Sequence, residues 1–442
     1  SNSFCTLLVM PSPQKQHRAE TAHGGTGKST GKLVGWDKFV RHNPLSDRFG
    51  IIDFDHLEIW CADATSVARR FSTAFGLQMV ASSTIDSGNH KYASYVLVSN
   101  NVRFVFTAPY WTDAPTPNVA FKDPFPDYSR EDALNFIAKH GFAVKAVGIK
   151  VDNATKAFEQ CTLNGGVPVT RPTKLTDENG EIMYSEVVYY EDVKFRWIEG
   201  RDSYKGNFVP GYKDEGRPEY TYGLQRIDHV VSNVPCLTDV TEHLIKMLGL
   251  HEFGEFTAED VGTVDSGLNS MVMANNSETV LLPVNEPTFG TRRKSQIQSY
   301  IEHHRGPGIQ HIAIMTPDIL ATIEKMTAMS VAGGVEFMPN PGESYYKDHV
   351  PAKMGNLVSQ DLIDQCQKFG ILIDRDEEGG LLQIFTKPLF DRPTLFVEII
   401  QRVGCPGPDG KQKPACGGFG KGNFGALFKS IEDWEKQRDG EA

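Results

Sequence analysis

The chain repeats itself, and the repeat restricts its fold more than any single motif. Ile227-Asp-His-Val answers Phe54-Asp-His-Leu, and each is followed by a helical stretch ending in Leu-Gly-Leu or Phe-Gly-Leu. Gly308-Ile-Gln-His-Ile-Ala-Ile answers Ala143-Val-Lys-Ala-Val-Gly-Ile, each followed by a helix and a Gly-Gly pair. Phe396-Val-Glu-Ile answers Phe195-Arg-Trp-Ile. An ordered match along two halves means one structural unit used twice.

The unit can be read from periodicity. Residues 51–60 alternate as a strand. Residues 63–75 have helical spacing, with Val67, Phe71 and Phe75 on one side and Asp63 as N-cap. Strands follow at 92–98 and 102–107, then a Pro-rich loop at 109–126, a helix at 130–139, a strand at 144–151, a helix at 154–163 and a hairpin, 187–191 with 194–199. The expected fold is α+β: two tandem domains of duplicated βαβββ modules, each an open half-barrel, with a C-terminal helix over the second. The expected boundaries are a disordered tail at 1–35, a metal-less barrel at 36–200, a polar linker at 201–222, a metal-binding barrel at 223–404, and a flexible loop and helix at 405–442.

Composition narrows the function. A net charge of −11 argues against a nucleic-acid surface. No apolar run reaches the roughly 18 residues of a membrane helix. The seven cysteines are scattered without a Cys-x-x-Cys pair and read as reduced thiols of an intracellular protein. The cytoplasm is the expected compartment. The plastid is the alternative, because no acidic residue precedes Glu20 in a Ser, Thr, Gly and Lys-rich tail. Gly24-Gly-Thr-Gly-Lys-Ser-Thr30 fails as a phosphate loop: Ala22 stands where glycine is needed, and no apolar strand precedes it.

Three strands of the second half carry a polar residue each. Glu398 lies inside Thr394–Arg402 and shares a face with Phe396 and Ile400. His229 shares a face with Ile227 and Val231, and His311 with Ile309 and Ala313. A buried carboxylate costs several kcal/mol unless compensated. Two imidazoles and one carboxylate are the ligand set of a facial non-haem Fe(II) site, which leaves positions open. The repeat supplies an internal control. At the matching places the first half has His56, Ala146 and Trp197, too few donors for a metal, so His56 is expected to be a core histidine.

Longer stretches resemble a known family. They include Phe39-Val-Arg-His-Asn-Pro, Phe256-Thr-Ala-Glu-Asp-Val-Gly-Thr, Leu281-Leu-Pro-Val-Asn-Glu-Pro, Leu382-Gln-Ile-Phe-Thr-Lys-Pro, Phe396-Val-Glu-Ile-Ile-Gln-Arg-Val-Gly-Cys and Gly417-Gly-Phe-Gly-Lys-Gly-Asn-Phe. From about Lys32 onward the chain resembles the plant-type 4-hydroxyphenylpyruvate dioxygenases of the vicinal-oxygen-chelate superfamily. The resemblance implies Fe(II) on His229, His311 and Glu398. It implies conversion of 4-hydroxyphenylpyruvate and O2 to homogentisate and CO2, in tyrosine catabolism and the supply of plastoquinone and tocopherol precursors, by a homodimer. It also implies Gln296, Gln310, Gln383 and Phe396 as catalytic residues. Ser270, Asn285, Phe385, Phe419, Asn423 and Phe424 become substrate-binding, with Phe419 and Phe424 on a closing lid hinged by glycines. Simple alternation points Gln310 away from His311. The competing readings are a hydroxymandelate synthase, an extradiol catechol dioxygenase, a metal-free binding protein of the same fold, and a zinc enzyme.

Overall fold

A computed structural model describes residues 33–439 except 112–122, 217, 263–266, 291, 356–357 and 408–411. The tail before residue 33, with its loop-like Gly24–Thr30, lies outside the described residues.

Among the described residues the first half builds nine strands: β1 (Ile51–Trp60), β2 (Gln78–Ser83), β3 (Tyr92–Ser99), β4 (Val102–Pro109), β5 (Ala143–Val151), β6 (Pro168–Asp177), β7 (Gly180–Tyr190), β8 (Val193–Glu199) and β9 (Lys213–Asp214). The second half builds eight: β10 (Arg226–Asn233), β11 (His251–Phe256), β12 (Leu268–Ala274), β13 (Leu281–Pro287), β14 (Gly308–Met315), β15 (Leu372–Arg375), β16 (Gly380–Phe385) and β17 (Phe396–Val403). The sheet orders are β6-β7-β8-β5-β1-β4-β3-β2-β9 and β11-β12-β13-β10-β14-β17-β16-β15. Each sheet is two βαβββ modules joined through an antiparallel pair of their first strands, β1 with β5 and β10 with β14. The expected fold is therefore the observed one: two curled half-barrels of duplicated modules, with a C-terminal helix, Phe424–Asp439.

The local reasons are those of the sequence. Asp63 caps Ala64–Phe75 through the Ser66 N–H. That helix and its repeat mate Leu237–Leu248 both end at a left-handed glycine, Gly76 (φ 62°) and Gly249 (φ 81°). Strand alternation turns Leu57 and Ile59 toward the helices and leaves Glu58 and Trp60 on the concave face. One apolar core runs through both halves, from Phe71, Phe104 and Trp197 to Leu244, Ile312 and Val397. Each such side chain, once buried, contributes roughly 1.5–3 kcal/mol.

Several expectations need correction. Strands β2 and β6 were not foreseen, and β6 explains itself: it is an edge strand with two prolines and mostly exposed or half-buried side chains. The stretch read as a linker, 201–222, donates β9 to the first sheet and Tyr204, Phe208, Val209 and Tyr212 to its core. Leu33–Gly35, expected in the tail, lie against the second sheet, where the Gly35 N–H donates to Glu255 Oε1 (2.6 Å) and Trp36 stacks on Phe256. The cysteines are not all reduced. Cys405 and Cys416 form a disulfide, because the chain after β17 folds back on itself. Cys61, Cys161, Cys236 and Cys366 are free thiols.

Register corrects the internal alignment. Glu398 pairs with Ala313, which pairs with His229. In the first half Arg196 pairs with Gly148, which pairs with His56. The counterpart of Glu398 is thus Arg196, not Trp197. Ala146 remains the counterpart of His311, since each faces the matching residue of the neighbouring strand, Glu58 and Val231.

Candidate metal centre

Adjacent strands β10, β14 and β17 bring His229, His311 and Glu398 together on the concave face of the second sheet. Between His229 and Glu398 stands Ala313, whose methyl group is small enough to let the flanking side chains meet over it. His229 Nε2 lies 3.1 Å and His311 Nε2 3.5 Å from Glu398 Oε2. One ligand atom from each lies within 4.8 Å of the others.

The neighbours orient these groups. His229 Nδ1 donates to Asp228 Oδ2 (2.8 Å), and Asp228 is gripped by Arg402 through two bonds of 2.9 and 2.7 Å. The same guanidinium donates to the carbonyls of Cys416 (2.6 Å) and Gly418 (2.7 Å). His311 Nδ1 donates to Gln310 Oε1 (2.9 Å). With both Nδ1 positions carrying the proton, each Nε2 presents a lone pair toward the carboxylate. Three such atoms facing one another call for a shared proton or a cation among them. The residues fit a divalent metal, and the facial set of two imidazoles and one carboxylate suits non-haem iron.

Electrostatics agree. Burial would push the Glu398 carboxyl up, but the two imidazoles outweigh it and hold it at about 2. Burial also opposes charge on Asp228, yet Arg402 keeps it well below the usual carboxylate range. At His229 burial is outweighed by Asp228 and Glu398, which raise it; at His311 burial wins and lowers it. The centre is a buried anion that calls for positive charge.

Glu398 has a second tie. Gln383 Nε2 donates to Glu398 Oε1 (2.8 Å), Asn423 Nδ2 donates to Gln383 Oε1 (2.9 Å), and the Tyr345 hydroxyl donates to Asn423 Oδ1 (2.6 Å). The chain follows Gln383 closely here. A Cβ on Gly420 (φ 72°) would sit 1.9 Å from Gln383 Oε1, so this position requires glycine.

A cavity of about 50 Å³ opens on the three donors. Ser270, Asn285, Gln383, Phe385, Phe419, Asn423 and Phe424 all line it, together with Val231, Phe256, Val272, Pro283 and Leu427. Phe419 stands edge-on to His229, with ring centres 5.2 Å apart, so the C-terminal segment closes over the donors. Phe396 stacks on His311 at 4.8 Å. Gln296 and Gln310 do not line this cavity. They meet Phe396 in a neighbouring one with Thr394 and Tyr300. Gln310 acts on the centre through its bond to His311: it is the extra residue of a bulge between the Val231–His311 and Ser232–Ile309 pairs, which breaks the simple alternation that would point it away.

Sequence reasoning missed Asp228, Arg402 and Tyr345. Two signals were available. The Asp-His pair occurs in both halves, at 55–56 and 228–229. Arg402 continues the parity of Phe396, Glu398 and Ile400, and a buried arginine needs a carboxylate.

Comparison with known proteins places the chain. No protein-family model matches it. It is 50% identical over 413 residues to a 4-hydroxyphenylpyruvate dioxygenase of Plectranthus scutellarioides, covering 92% of this chain and 93% of that one. It is 47% identical over 427 residues to one of Arabidopsis thaliana (93% and 94% covered), and 35% identical over 400 residues to one of Pyricularia oryzae (87% and 90% covered). Among solved structures, a mutant 4-hydroxymandelate synthase from Streptomyces coelicolor superposes with a TM-score of 0.68 at 21% identity, over 87% of this chain and 99% of that one, which shows the shared fold. With this identity maintained along nearly the whole length, the chain is an enzyme and belongs to the 4-hydroxyphenylpyruvate dioxygenase family.

Proposed function

We propose that this enzyme holds Fe(II) on His229, His311 and Glu398 and converts 4-hydroxyphenylpyruvate and O2 to homogentisate and CO2. The observation that carries the reading is the convergence of three metal-ligating side chains, from three neighbouring strands, at the floor of an aromatic pocket. When bound, the iron supplies dioxygen activation and a docking point for the 2-oxo acid.

The protein's own residues do the rest. Asp228 and Gln310 keep both imidazole Nδ1 protons and so keep each Nε2 free to ligate. Gln383 occupies Glu398 Oε1 and leaves Oε2 for the metal. Phe385, Phe419 and Phe424 provide an apolar wall for the substrate ring and exclude water. Ser270 and Asn285, paired across β12 and β13, are the polar groups available to the substrate's oxygens. Gln296, Gln310 and Phe396 support the pocket from behind His311. We further propose a homodimer in the cytoplasm that feeds tyrosine catabolism.

The test is anaerobic Fe(II) reconstitution, then addition of 4-hydroxyphenylpyruvate and O2, with product identification. Homogentisate with one CO2 per turnover is expected. Hydroxymandelate as product, or no Fe(II) uptake, overturns the reading.

A further inference from the structure

The first half keeps a larger cavity, about 510 Å³, on its own concave face. This size lies in the range of small-molecule pockets. Register shows that it is the repeat mate of the catalytic face. Tyr184 and Glu186 stand where Gln383 and Phe385 do, Lys194 and Arg196 where Phe396 and Glu398 do, and Lys145 where Gln310 does. All five line the cavity.

Its charges are mostly spent. Arg196 donates to Glu58 Oε2 and Glu186 Oε1, both at 2.7 Å, and Lys194 donates to Glu186 Oε2 at 2.7 Å. Lys139 is paired with Asp192. Lys145 is different. Its Nζ donates to the Asp192 main-chain oxygen (2.6 Å), and among the described residues no carboxylate forms an ion pair with it. It lies over the rings of Trp60 (4.9 Å) and Phe136 (4.8 Å). Two further groups lack a partner: the buried hydroxyls of Tyr128 and Tyr184, both lining the cavity, have no hydrogen bond among the described residues. An orphaned buried hydroxyl costs about 1–3 kcal/mol unless a ligand or water satisfies it. One unmatched ammonium, two unpaired hydroxyls and aromatic walls describe a particular guest.

We propose that this cavity is a second small-molecule site and that it takes an aromatic monocarboxylate. The carboxylate meets Lys145, the Tyr128 and Tyr184 hydroxyls donate to the ligand's oxygens, and the ring lies among Trp60, Phe125 and Phe136. On the inner wall Lys145 is the one cation left over after Glu58, Glu186 and Asp192 are matched, which favours a monoanion; exposed Asp127, Asp132 and Glu191 at the rim make the whole lining acidic and oppose a dianion. The site does not depend on the metal or on the reaction assigned to the second half.

The test uses the iron-loaded full chain and 4-hydroxyphenylacetate as probe, titrated by calorimetry. Two classes of site are expected, one in each half. Lys145→Met should weaken one class at least tenfold, leave the other unchanged, and leave turnover unchanged. Tyr184→Phe should weaken the same class about threefold and keeps the test open if Lys145→Met does not fold. A single class of site that disappears in Glu398→Ala, or isotherms unaltered in both first-half variants, overturns the proposal.

Discussion

The two halves solve one problem with different cations. In the second, His229, His311 and Glu398 converge with lone pairs facing inward. In the first, His56 keeps the place of His229 and the same aspartate contact, Nδ1 to Asp55 at 2.6 Å. The carboxylate position holds Arg196 instead, whose guanidinium reaches His56 Nε2 (3.1 Å), Glu58 and Glu186. An arginine brings its positive charge covalently, so the cluster of His56, Glu58 and Glu186 needs no ion. A glutamate at the same place leaves a deficit that only an external ion fills. Between the donors, Gly148 replaces Ala313, since a Cβ there would meet His56 Cε1 at 2.5 Å. One exchange of sign at Arg196, one imidazole missing at Ala146 and one methyl removed at Gly148 separate scaffold from metal centre.

The comparison is broken most directly at Glu398 and His311. Glu398→Ala and His311→Ala should each reduce turnover to background, with iron per chain falling to match in elemental analysis. Retained turnover in either would remove the centre from the second half. Next in size is Arg196→Met, which strands Glu58 and Glu186 as buried, partly unpaired carboxylates. Breaking such a cluster costs roughly 3–5 kcal/mol. Denaturant melts should show that loss while iron content stays unchanged.

His56 gives a pH test. Burial, reinforced by Arg196 and Arg201 and opposed by Asp55, lowers its pKa to about 4; the Phe208 ring also packs on it. An unfolded histidine titrates near 6.5, so between about pH 6.5 and 4 the unfolded chain binds the proton and the folded one does not. The contribution is complete above pH 6.5 and is lost as pH falls toward 4, roughly 3 kcal/mol in all. His304, lowered to about 3 chiefly by burial, shares the window. His56→Ala should lower stability at pH 7, flatten but not remove the slope, and leave iron in place. The smallest effect is expected at Gln310→Ala. It frees the His311 ring and should weaken metal affinity by about tenfold, the low end for partners of a ligand. An effect on substrate KM without one on iron affinity would restore Gln310 to the pocket.

The history of these residues shows what a sequence reveals. The βαβββ duplication was legible because strand alternation and the Phe-Gly-Leu and Leu-Gly-Leu turns are local signals. The ligand trio was legible because a polar residue inside an apolar strand must be compensated. Edge strand β6 was not, because a strand exposed on most of its length has no apolar alternation to read. The counterpart of Glu398 was misplaced by one residue, since register depends on pairing between strands and bulges shift it. The disulfide was missed for a similar reason: Cys405 and Cys416 meet only after the chain turns back behind β17.

Arg402 deserves a last consequence. It clasps Asp228, which aims His229, and with its remaining nitrogen it holds the backbone just before Phe419. One side chain therefore spans the hearth and its door. Any outward displacement of the terminal segment would therefore cost the guanidinium two of its acceptors. The aim of the imidazole and the seating of the cover above it thus rest on the same rigid plane.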